Sequence, residues 1–383
     1  MLNFDFISPT RFIFGKGQEQ KVGEICKEYD AKKVMVLYGA GPFTALVDEV
    51  VSSIETAGLI CYKFGEVEPN PRMELAMEAI ELCKKENVDF IVAVGGGSTI
   101  DSAKCVGVGA LYDGDVRDFY PSVNKVERTL PVGCVLTNAA AGSEGSRNSL
   151  MRVDGVKRTA ISEIIRPKFA LMNPEITFSL PKYQTACGAV DILSHNMERF
   201  FSCTEDTYFT DQLLIAAMKT VVKYGPIAYE EPKNYTARAN LMWAGTLSQN
   251  NLLGVDRQQD WATHFMEDPV TSLCNSAHGA GLAVITPVWM NYVYKNNLPR
   301  FVQFAVEVWG IENDYYDPEG TAQKGIEATV KFLRKLEMPS RLQELGVKEE
   351  DIPDMIKEIP VNPCGSLMRL EDKDFAEIYR RAL

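Results

Sequence analysis

Short apolar runs alternate with helix-spaced apolar positions through the first 180 residues. Residues 33–38 form an apolar run that ends in Gly39-Ala40-Gly41-Pro42, which predicts a strand followed by a turn. Helical spacing follows at 46–57, an apolar run at 59–64, and helical spacing again at 72–86, where Leu75, Ala76, Ile80 and Cys83 carry the apolar positions. The run 88–94 suits a buried strand and breaks at Gly95-Gly96-Gly97; a helix is expected from Ser98 and a further strand at 130–136. Strands alternating with helices of this length predict a parallel, doubly wound sheet, with an α+β domain of mixed pairing as the alternative.

After Pro181 the pattern changes to helical periodicity, and strand signals largely disappear. The expected organisation is therefore an α/β domain over 1–180 and an all-helical domain over 181–383. No internal repeat or low-complexity tract interrupts either half.

Composition narrows the function classes. The 383 residues carry 40 Lys+Arg against 52 Asp+Glu, a net charge of −12, which disfavours nucleic acid and anionic membranes as partners. No apolar run approaches the ~18–20 residues of a membrane helix. The first residues lack the features of a secretory signal, so a cytoplasmic location is expected. Nine cysteines are scattered without a CxxC pair, and reduced thiols are expected rather than a disulfide framework. There are 3 histidines, all between residues 195 and 278.

Two constellations carry candidate chemistry. Gly95, Gly96, Gly97 and Ser98 stand between an expected strand and helix. Ser98 is placed to cap the helix and Asp101 to return a bond to the cap amide. Consecutive glycines let backbone amides approach a diphosphate at the helix N-terminus. The turn is neither GxGxxG nor a P-loop, and a plain tight βα connection remains an alternative. Gly39 and Gly41 form a weaker turn of the same kind. Asp191 and His195, four apart in a helical stretch, project from one face. With His264 and His278 they offer one carboxylate and three imidazoles, a set that suits Fe(II) or Zn(II) better than Mg or Ca. A surface ion pair and a packed core histidine are the competing readings.

The chain as a whole resembles the iron-containing (group III) alcohol dehydrogenase family, in its butanol dehydrogenase and broad-range aldehyde reductase branch. The resemblance is carried by FDFISPTRFIFGKG at 4–17, Pro69-Asn70-Pro71, GGGSTIDSAK at 95–104, Gly142-Ser143-Glu144 and LPKYQTACGAVDILSHNMERF at 180–200. It continues through ARANLMWAGTLSQNN at 237–251, DWATH at 260–264 and AHGAGLA at 277–283. It implies a dinucleotide-binding α/β domain followed by a helical metal-binding domain. Asp191, His195, His264 and His278 are the implied metal ligands. Gly95, Gly96, Gly97 and Ser98 are the implied diphosphate site, and Lys157 falls where the family has a lysine facing the cofactor. The implied activity is metal-dependent, NAD(P)-linked oxidation of a short-chain alcohol or reduction of an aldehyde. A homodimer is expected.

The chain departs from the family pattern at three positions. Asp268 stands where the family usually has a histidine near the metal; it is a candidate for proton transfer or metal binding, or a turn residue before Pro269. Ala141 replaces a threonine, and Asn173 replaces an aspartate. No acid follows the strand at 33–38, which leaves room for a 2′-phosphate and makes NADP(H) the preferred cofactor over NAD(H). Glycerol-dehydrogenase-like polyol oxidation and a non-catalytic nucleotide- or metal-binding relic are the alternative functions.

Overall fold

The computed structural model describes residues 1–120 and 124–383. They divide into two compact units, one of Ile7–Leu180 and one of Met1–Phe6 with Pro181–Leu383. The first six residues thus belong with the helical unit and not with the α/β domain assigned from sequence. Backbone bonds hold them there: Leu2 N donates to Asp256 O at 2.7 Å, and the Met1 ammonium to Glu205 O at 2.8 Å.

The strands of the first unit are β1 (Arg11–Phe14), β2 (Lys33–Gly39), β3 (Ile60–Val67), β4 (Phe90–Gly95), β5 (Val132–Leu136), β6 (Asn148–Val153), β7 (Val156–Ile161) and β8 (Phe169–Met172). Its helices are α1 (Val22–Glu28), α2 (Thr44–Thr56), α3 (Met73–Glu86) and α4 (Gly97–Ala110). Six strands form one parallel sheet in the order β1-β8-β5-β4-β2-β3. Every residue of β4 and β5 is buried, as expected for strands covered on both faces. Val34, Val36, Val92 and Val94 pack with Val47, Val50 and Ile54 of α2 and with Val22 and Ile25 of α1.

The chain leaves β2 toward β3, then crosses back to β4 on the other side and continues to β5. That reversal places a topological switch point at the carboxyl ends of β2 and β4, where open α/β sheets bind ligands. Gly39 ends β2 and Gly95 ends β4, and Tyr38 pairs with Val94 just before them.

The antiparallel hairpin β6-β7 is an addition to the expected sheet. Asp154 and Gly155, both at positive φ, form its two-residue turn.

The helices of the second unit are α5 (Lys182–Phe200), α6 (Tyr208–Glu230), α7 (Tyr235–Gln249), α8 (Ala262–Cys274), α9 (His278–Val293), α10 (Leu298–Trp309), α11 (Pro318–Lys335), α12 (Ile352–Glu358) and α13 (Asp372–Ala382). Helix α5 is buried from Thr185 to Phe200 and packs against α6, α7 and α9. Among the described residues no helix is long and apolar enough to cross a membrane. No cysteine among them is disulfide-bonded.

Candidate metal and cofactor site

Helix α5 is unusual for a buried helix because polar residues occupy its interior positions. Asp191, Ser194, His195, Asn196, Glu198 and Arg199 are all buried. Such groups are costly to bury unless they are paired or bind a cation. Asp191 and His195 lie one turn apart, with Oδ1 and Nδ1 at 3.5 Å. Helix α8 brings His264 in its first turn, and α9 begins at His278. The Nε2 atoms of His264 and His278 each lie 3.8 Å from Asp191 Oδ1. The structure therefore brings together all four sequence-predicted ligands.

These separations exceed a hydrogen bond. Asp191 Oδ1, His195 Nδ1 and His264 Nε2 are buried without a hydrogen-bond partner. Two ligand atoms on a tetrahedral cation, each roughly 2.0–2.1 Å from it, stand about 3.4 Å apart. These three orphan atoms, with His278 Nε2 at 3.8 Å from Asp191 Oδ1, offer one carboxylate and three imidazoles and fit a divalent cation of the Fe(II) or Zn(II) type.

The electrostatics agree with that fit. Burial alone would raise the Asp191 carboxyl, but the imidazoles of His195, His264 and His278 outweigh it and hold it well below the usual carboxylate range. Burial, reinforced by His264, Arg199 and His278, keeps His195 neutral against the opposing pull of Asp191. For His264, burial is outweighed by Asp191 and Glu198, which lift it to about 9. The cluster attracts positive charge, and protons compete with a metal for its lone pairs.

Two orienting carboxylates escaped the reading of the sequence. Glu198 Oε1 lies 3.1 Å from His264 Nδ1 and also accepts from the amides of Thr263 and His264 at 3.0 and 3.1 Å. Glu267 Oε2 bonds His278 Nδ1, and Thr271 Oγ1 donates to Glu267 Oε1. Carboxylates on the outer ring nitrogen fix the tautomer and direct Nε2 inward. Gly281 makes room for Glu267, since a Cβ there would stand 2.6 Å from its Cγ. Trp261, at φ 65°, packs its ring edge-to-face on His264 with centroids 5.1 Å apart, while Met266 is core.

Asp268 is half-buried inside α8, and the turn reading before Pro269 does not apply because the helix continues through the proline. Its carboxylate lies within 4.8 Å of ligand atoms of Glu267 and His278.

In the first unit, the glycine turn differs in detail from the expectation. Helix α4 starts at Gly97 with Gly96 as its N-cap, and no side chain caps it. Ser98 is therefore inside the first turn. Asp101 does not return to the cap: it accepts from Ser143 Oγ at 2.5 Å in the interior. Gly95 is required by packing, because a Cβ there would stand 2.2 Å from Thr99 Oγ1. Gly96, Gly97 and Ser98 are partly accessible, and Cβ positions on the two glycines meet only Asn138 Cβ at 3.4 Å and Ala141 Cβ at 3.2 Å. Asn138 Oδ1 is buried without a partner beside them. A bare backbone cradle with an unpaired side-chain acceptor fits a dinucleotide diphosphate and sugar. Gly41, at φ 142°, lies in the turn after β2. Lys157 lies on β7 opposite Arg152, in the hairpin. Asn173 joins two segments of the fold, because its amide donates to the buried Glu19 carboxylate at 3.1 Å and its carbonyl caps Glu175 N.

Comparison with known proteins accords with both halves. Residues 9–174 match the family described as iron-containing alcohol dehydrogenase, and residues 185–383 match the C-terminal part of the Fe-containing alcohol dehydrogenase family. The chain is 36% identical to NADH-dependent butanol dehydrogenase A of Clostridium acetobutylicum, with 100% of each chain covered. It is 33% identical to an NADPH-dependent aldehyde reductase of Escherichia coli, covering 94% of this chain and 93% of that one. The crystal structure of NADH-dependent butanol dehydrogenase A from Thermotoga maritima superposes with a TM-score of 0.95 at 36% identity, over 100% of this chain and 99% of that one. The chain belongs to the iron-containing alcohol dehydrogenase family, in its butanol dehydrogenase and aldehyde reductase branch, and is an NAD(P)-linked oxidoreductase of alcohols and aldehydes.

Proposed function

We propose that this chain interconverts short-chain alcohols and aldehydes, with one Fe(II) or Zn(II) held by Asp191, His195, His264 and His278. The observation that carries the reading is the convergence of Asp191 Oδ1, His195 Nδ1 and His264 Nε2, all buried and unpartnered, on one point beside His278. The bound cation supplies Lewis acidity toward the substrate oxygen, and the dinucleotide supplies or accepts the hydride. Glu198 and Glu267 hold two of the imidazoles in register. Asp268, the candidate catalytic residue, takes the alcohol proton on its carboxylate and passes it toward solvent. Gly96, Gly97 and Ser98 offer their amides to the diphosphate, Gly39 and Gly41 flank the adenosine side, and Lys157 faces the cofactor.

The turn after β2 carries no acid, which supports NADP(H) as the preferred cofactor. Both NADH-dependent and NADPH-dependent enzymes occur among the relatives. The names of those relatives do not favour the polyol-oxidising and non-catalytic alternatives. A cytoplasmic homodimer completes the proposal, and light scattering on the purified protein measures the oligomeric part.

The test is a spectrophotometric assay with butanal, using NADPH and NADH in parallel, before and after chelation. Turnover that disappears on chelation and in His264→Ala, and returns with added metal in the wild type only, supports the reading. Dinucleotide binding without turnover on any short aldehyde in metal-loaded protein overturns it. Elemental analysis of anaerobically prepared protein distinguishes iron from zinc.

A further inference from the structure

The second half of the GGGSTIDSAK motif is not accounted for by contact with a cofactor. Asp101 and Lys104 point into the interior, and the Lys104 side chain is completely buried. An ammonium out of water is tolerated only when its donors are satisfied. Here Nζ lies 2.7 Å from Ser143 O, 2.8 Å from Ser143 Oγ and 2.7 Å from Asn148 O, three close acceptors for three N–H groups. Ser143 Oγ in turn donates to Asp101 Oδ1 at 2.5 Å, and Ser149 Oγ donates to the Asp101 carbonyl at 2.8 Å. Helix α4 thus holds segment 138–149 at residues 143, 148 and 149. A second buried cation, Arg166, bonds the Gly145 carbonyl in the middle of the same segment.

The start of that segment is what faces the glycine turn. Ala141 Cβ is the nearest atom to a Cβ position on Gly97, at 3.2 Å, and Asn138 Cβ is the nearest to one on Gly96, at 3.4 Å. The wall of the cradle is therefore supplied by a loop with no regular hydrogen-bonded ladder of its own. Its upstream end is fixed by Thr137 N, which donates to Gly95 O at 3.1 Å, and its course past Ala141 by tethers a few residues downstream. A buried ammonium is a poor choice merely to fill the core, because an apolar side chain of similar length is often as stable there. What the ammonium adds is direction: it collects two carbonyls and a hydroxyl at fixed points.

We propose that Lys104 is a positioning residue for the dinucleotide, holding segment 138–149 against the glycine turn so that Asn138 and Ala141 form the second wall of the diphosphate cradle. This rests on the reading that the dinucleotide occupies that turn. Asp101 supports Lys104 through Ser143, and neither residue touches the cofactor.

The experiment is fluorescence titration of metal-loaded wild type, Lys104→Met and Ser143→Ala with NADPH and NADH, alongside melting temperature, bound metal and steady-state kinetics. For Lys104→Met the expected result is a dinucleotide Kd and KM raised about tenfold or more, the scale of a small misplacement in a site. Bound metal stays at the wild-type level, and kcat at saturating dinucleotide stays within about twofold. Ser143→Ala, which keeps the carbonyl tethers and loses the hydroxyl link, is expected to raise Kd by about threefold. A folded Lys104→Met with wild-type Kd overturns the proposal, whatever its melting temperature. Where Lys104→Met does not fold, Ser143→Ala decides: a raised Kd supports the proposal and a wild-type Kd overturns it. A wild type that binds neither dinucleotide, or whose binding is unaffected by Gly96→Val, would instead refute the location of the cofactor.

Discussion

Glu198 Oε1 lies 3.1 Å from His264 Nδ1, and the same oxygen accepts from the Thr263 hydroxyl at 2.5 Å. One carboxylate of α5 thereby fixes both the ring and the backbone at the start of α8. Removing it leaves His264 free to rotate and leaves three donors unpaired. Glu198→Ala is expected to weaken metal affinity by about 10–100-fold, the usual cost of losing an orienting partner. Glu198→Gln, which keeps an acceptor, is expected to lose less. Metal content after dialysis against graded chelator measures both; equal retention by Glu198→Ala and wild type would refute the role.

The two glycines of AHGAGLA predict opposite failures. A Cβ on Gly281 would stand 2.6 Å from Glu267 Cγ and Oε1, whereas one on Gly279 would stand 2.2 Å from the Cys187 carbonyl oxygen. Glu267 is a side chain that can yield, so Gly281→Ala is expected to stay folded while loosening His278 and lowering metal affinity. The α5 backbone cannot yield in the same way, so Gly279→Ala is expected to cost roughly 1–3 kcal/mol or more in stability. Thermal melts and metal titrations of both variants separate these outcomes. Wild-type metal binding by Gly281→Ala would count against the Glu267–His278 bond.

How far the sequence foretold these contacts depends on whether they are local. Strands β2, β4 and β5 were visible because a strand buried on both faces is a continuous apolar run. The β6-β7 hairpin was not, although Asp154-Gly155 is a strong turn signal, because Asn148, Ser149, Arg152, Lys157 and Arg158 leave no apolar alternation beside it. Asp191 and His195 were found through their helical spacing. Glu198 and Glu267 were missed because each serves a histidine on another helix, although a buried stretch with Asp, His, Asn, Glu and Arg within nine positions was a usable signal. The capping role given to Asp101 failed for the same reason: its real partner, Ser143, is 42 positions away.

Coenzyme choice is predicted to be coupled to Thr99. Its Oγ1 would stand 2.7 Å from a Cβ on Gly39 and 2.2 Å from one on Gly95, so one threonine packs under the ends of two neighbouring strands. Gly39→Asp, which would bring a carboxylate to the ribose side, must push Thr99 aside at a cost of about 1–3 kcal/mol. Combining it with Thr99→Ala is expected to restore part of the melting temperature and to shift the kcat/KM ratio toward NADH. A single Gly39→Asp variant that melts like the wild type would show that Thr99 does not constrain this position.

Asp260 gives the protein a pH dependence of defined sign. It is buried, and its Oδ2 accepts from the amides of Ser366 and Leu367, both at 2.7 Å, which ties the chain near 366 to the start of α8. Burial, and then the charge of Glu198, push its carboxyl up to about 7. An unfolded aspartate titrates near ~3.9. Between these values the folded protein binds the proton more tightly than the unfolded chain, so stability falls as pH rises from about 4 to about 7 and levels off above. Asp260→Asn cannot ionise and keeps one acceptor. The wild type is therefore expected to lose stability relative to Asp260→Asn between about pH 4 and about pH 7, by a few kcal/mol at most on the scale of ~1.4 kcal/mol per pKa unit. The comparison is best made by denaturant unfolding of metal-free protein, because metal binding has its own proton linkage. A stability difference that is flat across this range, or that rises with pH, would mean that Asp260 is ionised throughout and that its amide partners outweigh its burial.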